Sequence, residues 1–155
     1  MNCQKLEYTK ILSYNIIHRI LQRNYNDADL NINIENKTFL VGNHLINNNH
    51  WIAFIVNLKK HVFFFIDPMG DDDDLMENSL LAWSEYYSKR ADAENISWQL
   101  NKVNHPIQQD SFSCGQLICI FIEQIVQNGS IVFNLLDLGK HREQIVDLIV
   151  VNSDL

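Results

Sequence analysis

The sequence predicts an α+β fold, a central mixed β-sheet flanked by helices. Three observations carry this. Residues 38–42, 51–57 and 61–66 are short runs rich in aromatic and β-branched side chains, as strands are. Residues 5–23, 75–90 and 114–127 instead space their apolar side chains three and four apart, as helices do. The chain has 155 residues, 46% of them hydrophobic, which is enough to bury one core without disulfides or a structural metal. Residues 1–155 are therefore read as one domain.

In chain order, Leu6, Leu12, Ile16, Ile17, Ile20 and Leu21 mark one apolar stripe, so residues 5–23 are expected to form a scaffold helix. Strands follow at 38–42, 51–57 and 61–66. The second and third are apolar at nearly every position, so they belong in the middle of a sheet covered on both faces. A polar turn at Leu58, Lys59 and Lys60 joins them. Pro68 lacks a backbone donor and biases Asp67 towards extended backbone, which places Asp67 at a strand end. After an acidic loop at 70–74 come a helix over 75–90 and a strand over 96–103. A buried helix over 114–127 stops at Asn128 and Gly129, and a last helix is expected over 140–151.

Composition narrows the function. A net charge of −7 argues against nucleic-acid binding, which needs a concentrated basic face, and favours a basic protein partner. No apolar run reaches the ~18 residues of a membrane span, and the N-terminus MNCQKLEYTK lacks the basic start and apolar stretch of a signal peptide. The expected location is cytoplasmic or nuclear, or a host cytosol for a secreted effector. Cys3, Cys114 and Cys119 form no CxxC and leave one unpaired, so reduced thiols are expected. The abundance of Asn, as at Asn47, Asn48 and Asn49, is read as compositional bias. No HExxH or paired Cys/His spacing is present, so no metal and no cofactor are expected, and residues 71–74 lack the alternating ligands of a calcium loop. They are read as solvated, with steering of a basic partner as the functional alternative.

The stretch IQQDSFSCGQLICIF, residues 107–121, turns from polar to apolar at Cys114. That puts a thiol at the front of a helix, where unpaired N–H groups and the helix dipole stabilise a thiolate. Gly115 lets a substrate backbone approach. Gln108, six residues upstream of the cysteine, can supply an amide that with the Cys114 N–H forms an oxyanion hole, with Gln109 as its rival. A thiol nucleophile needs a base and a group to orient that base, and His50 and Asp67 are the natural pair. With residue 51 opposite 66, His50 and Asp67 face each other across the hairpin. Cys119 is read as core packing and Cys3 as an incidental thiol. His44, His61, His105 and His141 are read as surface or hydrogen-bonded core residues.

The segments HWIAFIVNLKKHVFFFIDP and QQDSFSCG together resemble the Ulp1/SENP-like cysteine proteases of clan CE. Their pattern is His-Trp, an Asp about seventeen residues on, then Gln-x-(Asn/Asp)-x-x-(Asp/Ser)-Cys-Gly, and the likeness spans roughly residues 38–126. It implies that His50 is the general base, Asp67 its orienting acid, Gln108 the oxyanion donor and Cys114 the nucleophile, with Trp51 beside the substrate channel. Ser113 stands where Asp is common, and no tryptophan precedes Trp51, although relatives that process SUMO usually carry one upstream to roof the channel.

The resulting expectation is a thiol isopeptidase that cleaves after the Gly-Gly tail of ubiquitin or a ubiquitin-like modifier (ubiquitin, SUMO or NEDD8) and acts on its conjugates. Two alternatives are an acetyltransferase with the same triad and a non-catalytic module that binds ubiquitin-like proteins. The absence of a basic cluster for a coenzyme phosphate argues against the first, and the intact set of His50, Asp67, Gln108 and Cys114 argues against the second.

Overall fold

Apolar side chains at successive positions of residues 51–57 and 62–66 require cover on both faces, and this demand organises the chain. The computed structural model describes residues 7–91, 93 and 95–143. Five strands, β1 (Thr9–Ile11), β2 (Phe39–Ile46), β3 (His50–Asn57), β4 (Val62–Ile66) and β5 (Gln99–Lys102), lie in that order in one sheet. The middle three are antiparallel, while β1 runs parallel to β2 and β5 parallel to β4. The helices are α1 (Tyr14–Leu21), α2 (Asp27–Leu30), α3 (Asp73–Ser88) and α4 (Cys114–Asn128). The sheet is mixed and the class is α+β.

Strand alternation sorts the core into two layers. Leu40, Ile52, Phe54, Val56, Phe63 and Phe65 pack with Ile17 and Ile20 of α1 and with Met76, Trp83 and Tyr86 of α3. On the opposite face Val41, Ala53, Ile55, Phe64 and Ile66 receive Leu117, Ile118, Phe121 and Ile125, which recur on one side of α4. Gly129 ends α4 at φ 77°, the left-handed conformation in which glycine is favoured. Among the described residues no helix is long and apolar enough to cross a membrane.

Four expectations need correction. The helix expected over 5–23 is a short parallel edge strand followed by α1, because Leu12 N donates to Val41 O and Ser13 caps the helix by accepting from Ile16 N. The hairpin register is shifted by two: Ala53 opposes Ile66 and Asn57 opposes Val62. The loop therefore spans residues 58–61, with Asn57 Oδ1 accepting from Lys60 N and His61 at φ 55°. Helix α3 starts two residues early, because Asp72 caps it by accepting from Leu75 N. Cys119 is exposed and takes no part in the core. Of the expected last helix, residues 140–143 are helical, continuing a segment that starts at 138, and 144–151 lie outside the described residues, as does Cys3.

Candidate active site

His50 opens β3 immediately after a turn of asparagines. Asn47 and Asn48 both have positive φ, 51° and 59°, a conformation that asparagine tolerates better than most side chains. The run read as compositional bias thus forms the turn that delivers His50 to the end of the sheet. Asp67 follows the last residue of β4 at the same end, and His50 Nε2 lies 2.6 Å from Asp67 Oδ1. Both side chains are buried, 11% and 8% exposed, so this contact is little screened by water. Asp67 Oδ1 also accepts from Met69 N at 2.8 Å. Asp71 faces the Asp67 backbone N–H at 3.4 Å and His105 Nε2 at 3.6 Å.

Gln108 reaches this end of the sheet through its backbone: its N–H donates to Pro68 O at 2.7 Å, one residue past Asp67. Its side chain is buried, and Nε2 donates to Asp110 O at 2.5 Å. Its Oε1 is buried without a partner among the described residues. The same Nε2 also lies 3.3 Å from Asp110 Oδ1, so both recorded contacts of this nitrogen are to Asp110, one short and one long. Gln109, the rival amide, is exposed and donates to Ile107 O at 2.9 Å.

Cys114 is buried at the first position of α4. Ser113 before it is helical in backbone and makes no side-chain cap. The first intrahelical bond runs from Leu117 N to Ser113 O at 2.9 Å. An uncapped first turn keeps its N–H groups and positive dipole end available to an anion. A Cβ built on Gly115 would stand 3.5 Å from Trp51 Cδ1, so the helix start abuts the residue next to His50. His50 Nδ1 has no hydrogen-bond partner among the described residues, and no hydrogen bond links it to the thiol.

Around this cluster lie groups the sequence did not single out. Asp110 Oδ1 accepts from Phe112 N and Ser113 N, and Oδ2 accepts from the Ser113 hydroxyl at 2.5 Å. These bonds hold the Asp110 carboxyl below the usual carboxylate range, the Ser113 hydroxyl first among the causes. Arg142 reaches the same serine. On the far side of Trp51, Tyr14, His18 and His44 form an aromatic group, with Tyr14 edge-on to Trp51 at 6.1 Å between centroids. His44 is buried, its Nδ1 has no partner among the described residues, and burial, then the neighbouring His18, lower its pKa. Residues 71–74 are exposed, as read from the sequence, and some of them also have local partners: besides the contacts of Asp71, Asp72 caps α3 and Asp73 pairs with Lys102.

No curated protein has a sequence that matches this chain significantly. Solved structures do resemble it. A SUMO protease Ulp1 with its catalytic cysteine oxidised to a sulfenic acid is 18% identical, with TM-score 0.78 over 94% of this chain and 70% of that one. The C-terminal Ulp1 protease domain in complex with Smt3, the yeast ortholog of SUMO, is 17% identical, with TM-score 0.78 over 94% of this chain and 69% of that one. The Xanthomonas campestris effector XopD bound to ubiquitin is 14% identical, with TM-score 0.62 over 92% of this chain and 79% of that one. At such identities these likenesses speak for the fold. The sequence description of the Ulp1 protease family, C-terminal catalytic domain, matches residues 13–148, so the chain belongs to the Ulp1 family of cysteine proteases.

Proposed function

We propose that this domain is a thiol isopeptidase that cleaves after the Gly-Gly tail of ubiquitin or a ubiquitin-like protein, using Cys114, His50, Asp67 and Gln108. The observation that carries the proposal is the buried contact of His50 Nε2 with Asp67 at 2.6 Å, which leaves Nδ1 without a hydrogen-bond partner among the described residues. With the ring proton on Nε2 donated to Asp67, Nδ1 carries the lone pair of a general base. Family relatives captured with Smt3 and with ubiquitin support a modifier of this class as the substrate.

In the reaction, His50 Nδ1 takes the thiol proton as Cys114 Sγ bonds to the carbonyl carbon that ends the Gly-Gly tail. The negative charge on the carbonyl oxygen meets the Cys114 N–H and the Gln108 side-chain amide, whose Nε2 exchanges its long 3.3 Å contact with Asp110 Oδ1 for the oxyanion. His50 returns the proton to the departing lysine amine, and a thioester remains. Water then attacks with His50 as base, releasing the modifier's carboxylate and the thiol. The wall that Trp51 forms beside Gly115 suits a tail without side chains.

The test is incubation with propargyl-ended ubiquitin, SUMO and NEDD8, read by intact mass. One probe is expected to add to the parent chain and not to Cys114→Ala. No adduct with any of the three overturns the isopeptidase reading.

A further inference from the structure

We propose that Arg142 is a positioning residue for the oxyanion loop, acting on Gln108 through Ser113 and Asp110. The inference rests on the proposed role of Gln108. Its observation is a continuous polar chain from the helical segment at 138–143 to the loop before Cys114.

Arg142 Nη2 donates to Ser113 Oγ at 2.7 Å, and its Nε donates to Gln116 Oε1, also at 2.7 Å. One guanidinium thus grips α4 on both sides of Cys114. Gln116 Nε2 donates in turn to Leu138 O at 3.0 Å, closing the link to the segment that carries Arg142. The guanidinium also lies over the exposed Phe112 ring at 5.2 Å.

Proton accounting sets the direction of the chain. Ser113 has one hydroxyl hydrogen, and with Arg142 able only to donate, that hydrogen goes to Asp110 Oδ2. Asp110 as an anion can then accept from the hydroxyl and from two backbone N–H groups at once. Its backbone carbonyl holds Gln108 Nε2 at 2.5 Å. Arg142 therefore fixes the serine, the serine fixes the aspartate, and the aspartate's backbone orients the amide.

The arrangement has a second effect. Ser113 is an N-cap residue type, yet its hydroxyl is engaged by Asp110 and Arg142 and caps nothing. The first-turn N–H groups beside Cys114 are thereby left to a developing anion. The positive guanidinium also offsets the negative Asp110 close to the reacting centre. Lysine cannot reproduce this, because a single ammonium lacks the planar fork that bonds Ser113 and Gln116 together.

The experiment compares the parent with Arg142→Met, Arg142→Lys and Ser113→Ala, all as the full chain. The side-chain amide of Gln108 is followed by nitrogen-15 NMR without substrate, and steady-state turnover of the modifier identified by the probes is followed in parallel. Arg142→Met and Ser113→Ala should each move the Gln108 amide signals and lower kcat by about tenfold, with KM within about twofold, as expected when a preorganised donor loosens without leaving. Arg142→Lys, which keeps the charge and loses the fork, should fall between the parent and Arg142→Met on both readouts. Gln108 signals unmoved in either folded variant overturn the inference. Ser113→Ala breaks the same bridge if Arg142→Met fails to fold. A parent chain inactive on every modifier would remove the isopeptidase reading, while the amide signals would still decide whether Arg142 positions Gln108.

Discussion

His50 and Asp67 meet diagonally across the hairpin. With Ala53 opposite Ile66, continuing the register sets Ile52 rather than His50 opposite Asp67, yet His50 Nε2 lies 2.6 Å from Asp67 Oδ1. A one-residue offset would send the two side chains to opposite faces, whereas two residues keep them on the same one. The imidazole is long enough to span the diagonal.

Asp67→Asn tests that contact. The amide can offer Nε2 a hydrogen where the carboxylate only accepts one, which moves the ring proton to Nδ1 and removes the base. Turnover should fall on the order of 10³- to 10⁴-fold while the chain stays folded. Steady-state kinetics within threefold of the parent would show that Asp67 does not orient His50.

Gly115→Ala should separate stability from activity. The new methyl meets Trp51 Cδ1 at 3.5 Å, an ordinary contact, and the position is helical. The variant should gain about 0.4–1 kcal/mol in urea unfolding through the unfolded chain's lost freedom. The same methyl narrows the gap beside Trp51, so KM for a Gly-Gly tail should rise. Unchanged KM would mean that the tail does not pass there.

Gly42→Ala probes packing away from the chemistry. A Cβ there would clash with both Cδ1 and Cγ1 of Ile17, so α1 must shift or Ile17 must change rotamer. The expected cost is about 1–3 kcal/mol, measured as a lower urea midpoint. Ile17→Val in the same chain removes one of the two clashing carbons and should recover part of it.

His44 links stability to pH. Burial, then His18, lower its pKa from the ordinary value of 6.5, so the unfolded chain binds this proton more readily than the folded one. Its contribution to stability is complete above that ordinary value and is lost as pH falls through the lowered folded value. His44→Phe keeps an aromatic ring beside Tyr14 and should flatten the decline in stability on acidification. Identical slopes for parent and variant in unfolding at successive pH values would refute this.

The strands at β3 and β4 are legible in the sequence because covering both faces leaves an uninterrupted apolar signal. The same pattern points to His50 and Asp67, one opening β3 and the other just beyond β4. Edge strand β1 is hidden because three residues offer no alternation, and Ile11 is exposed, so Leu12 and Ile16 fall into an apparent helical stripe. The hairpin register depends on the Asn57 side chain bonding Lys60 N and on His61 turning left-handed, neither of which an apolar pattern records. Arg142 is invisible for a different reason. It reaches Ser113 across 29 positions, and only tertiary packing brings a surface-type cation to the start of α4.

The pair formed by His50 and Asp67 is separated by 17 positions and closed by a single hairpin, whereas α4 must dock from a distant part of the chain. Contacts that are short in sequence form early, because little loop entropy opposes them. Loop entropy therefore favours the contact of His50 with Asp67 forming before α4 brings Cys114 to the same end of the sheet. On the proposed roles, the docking of this one helix is the step that completes the site.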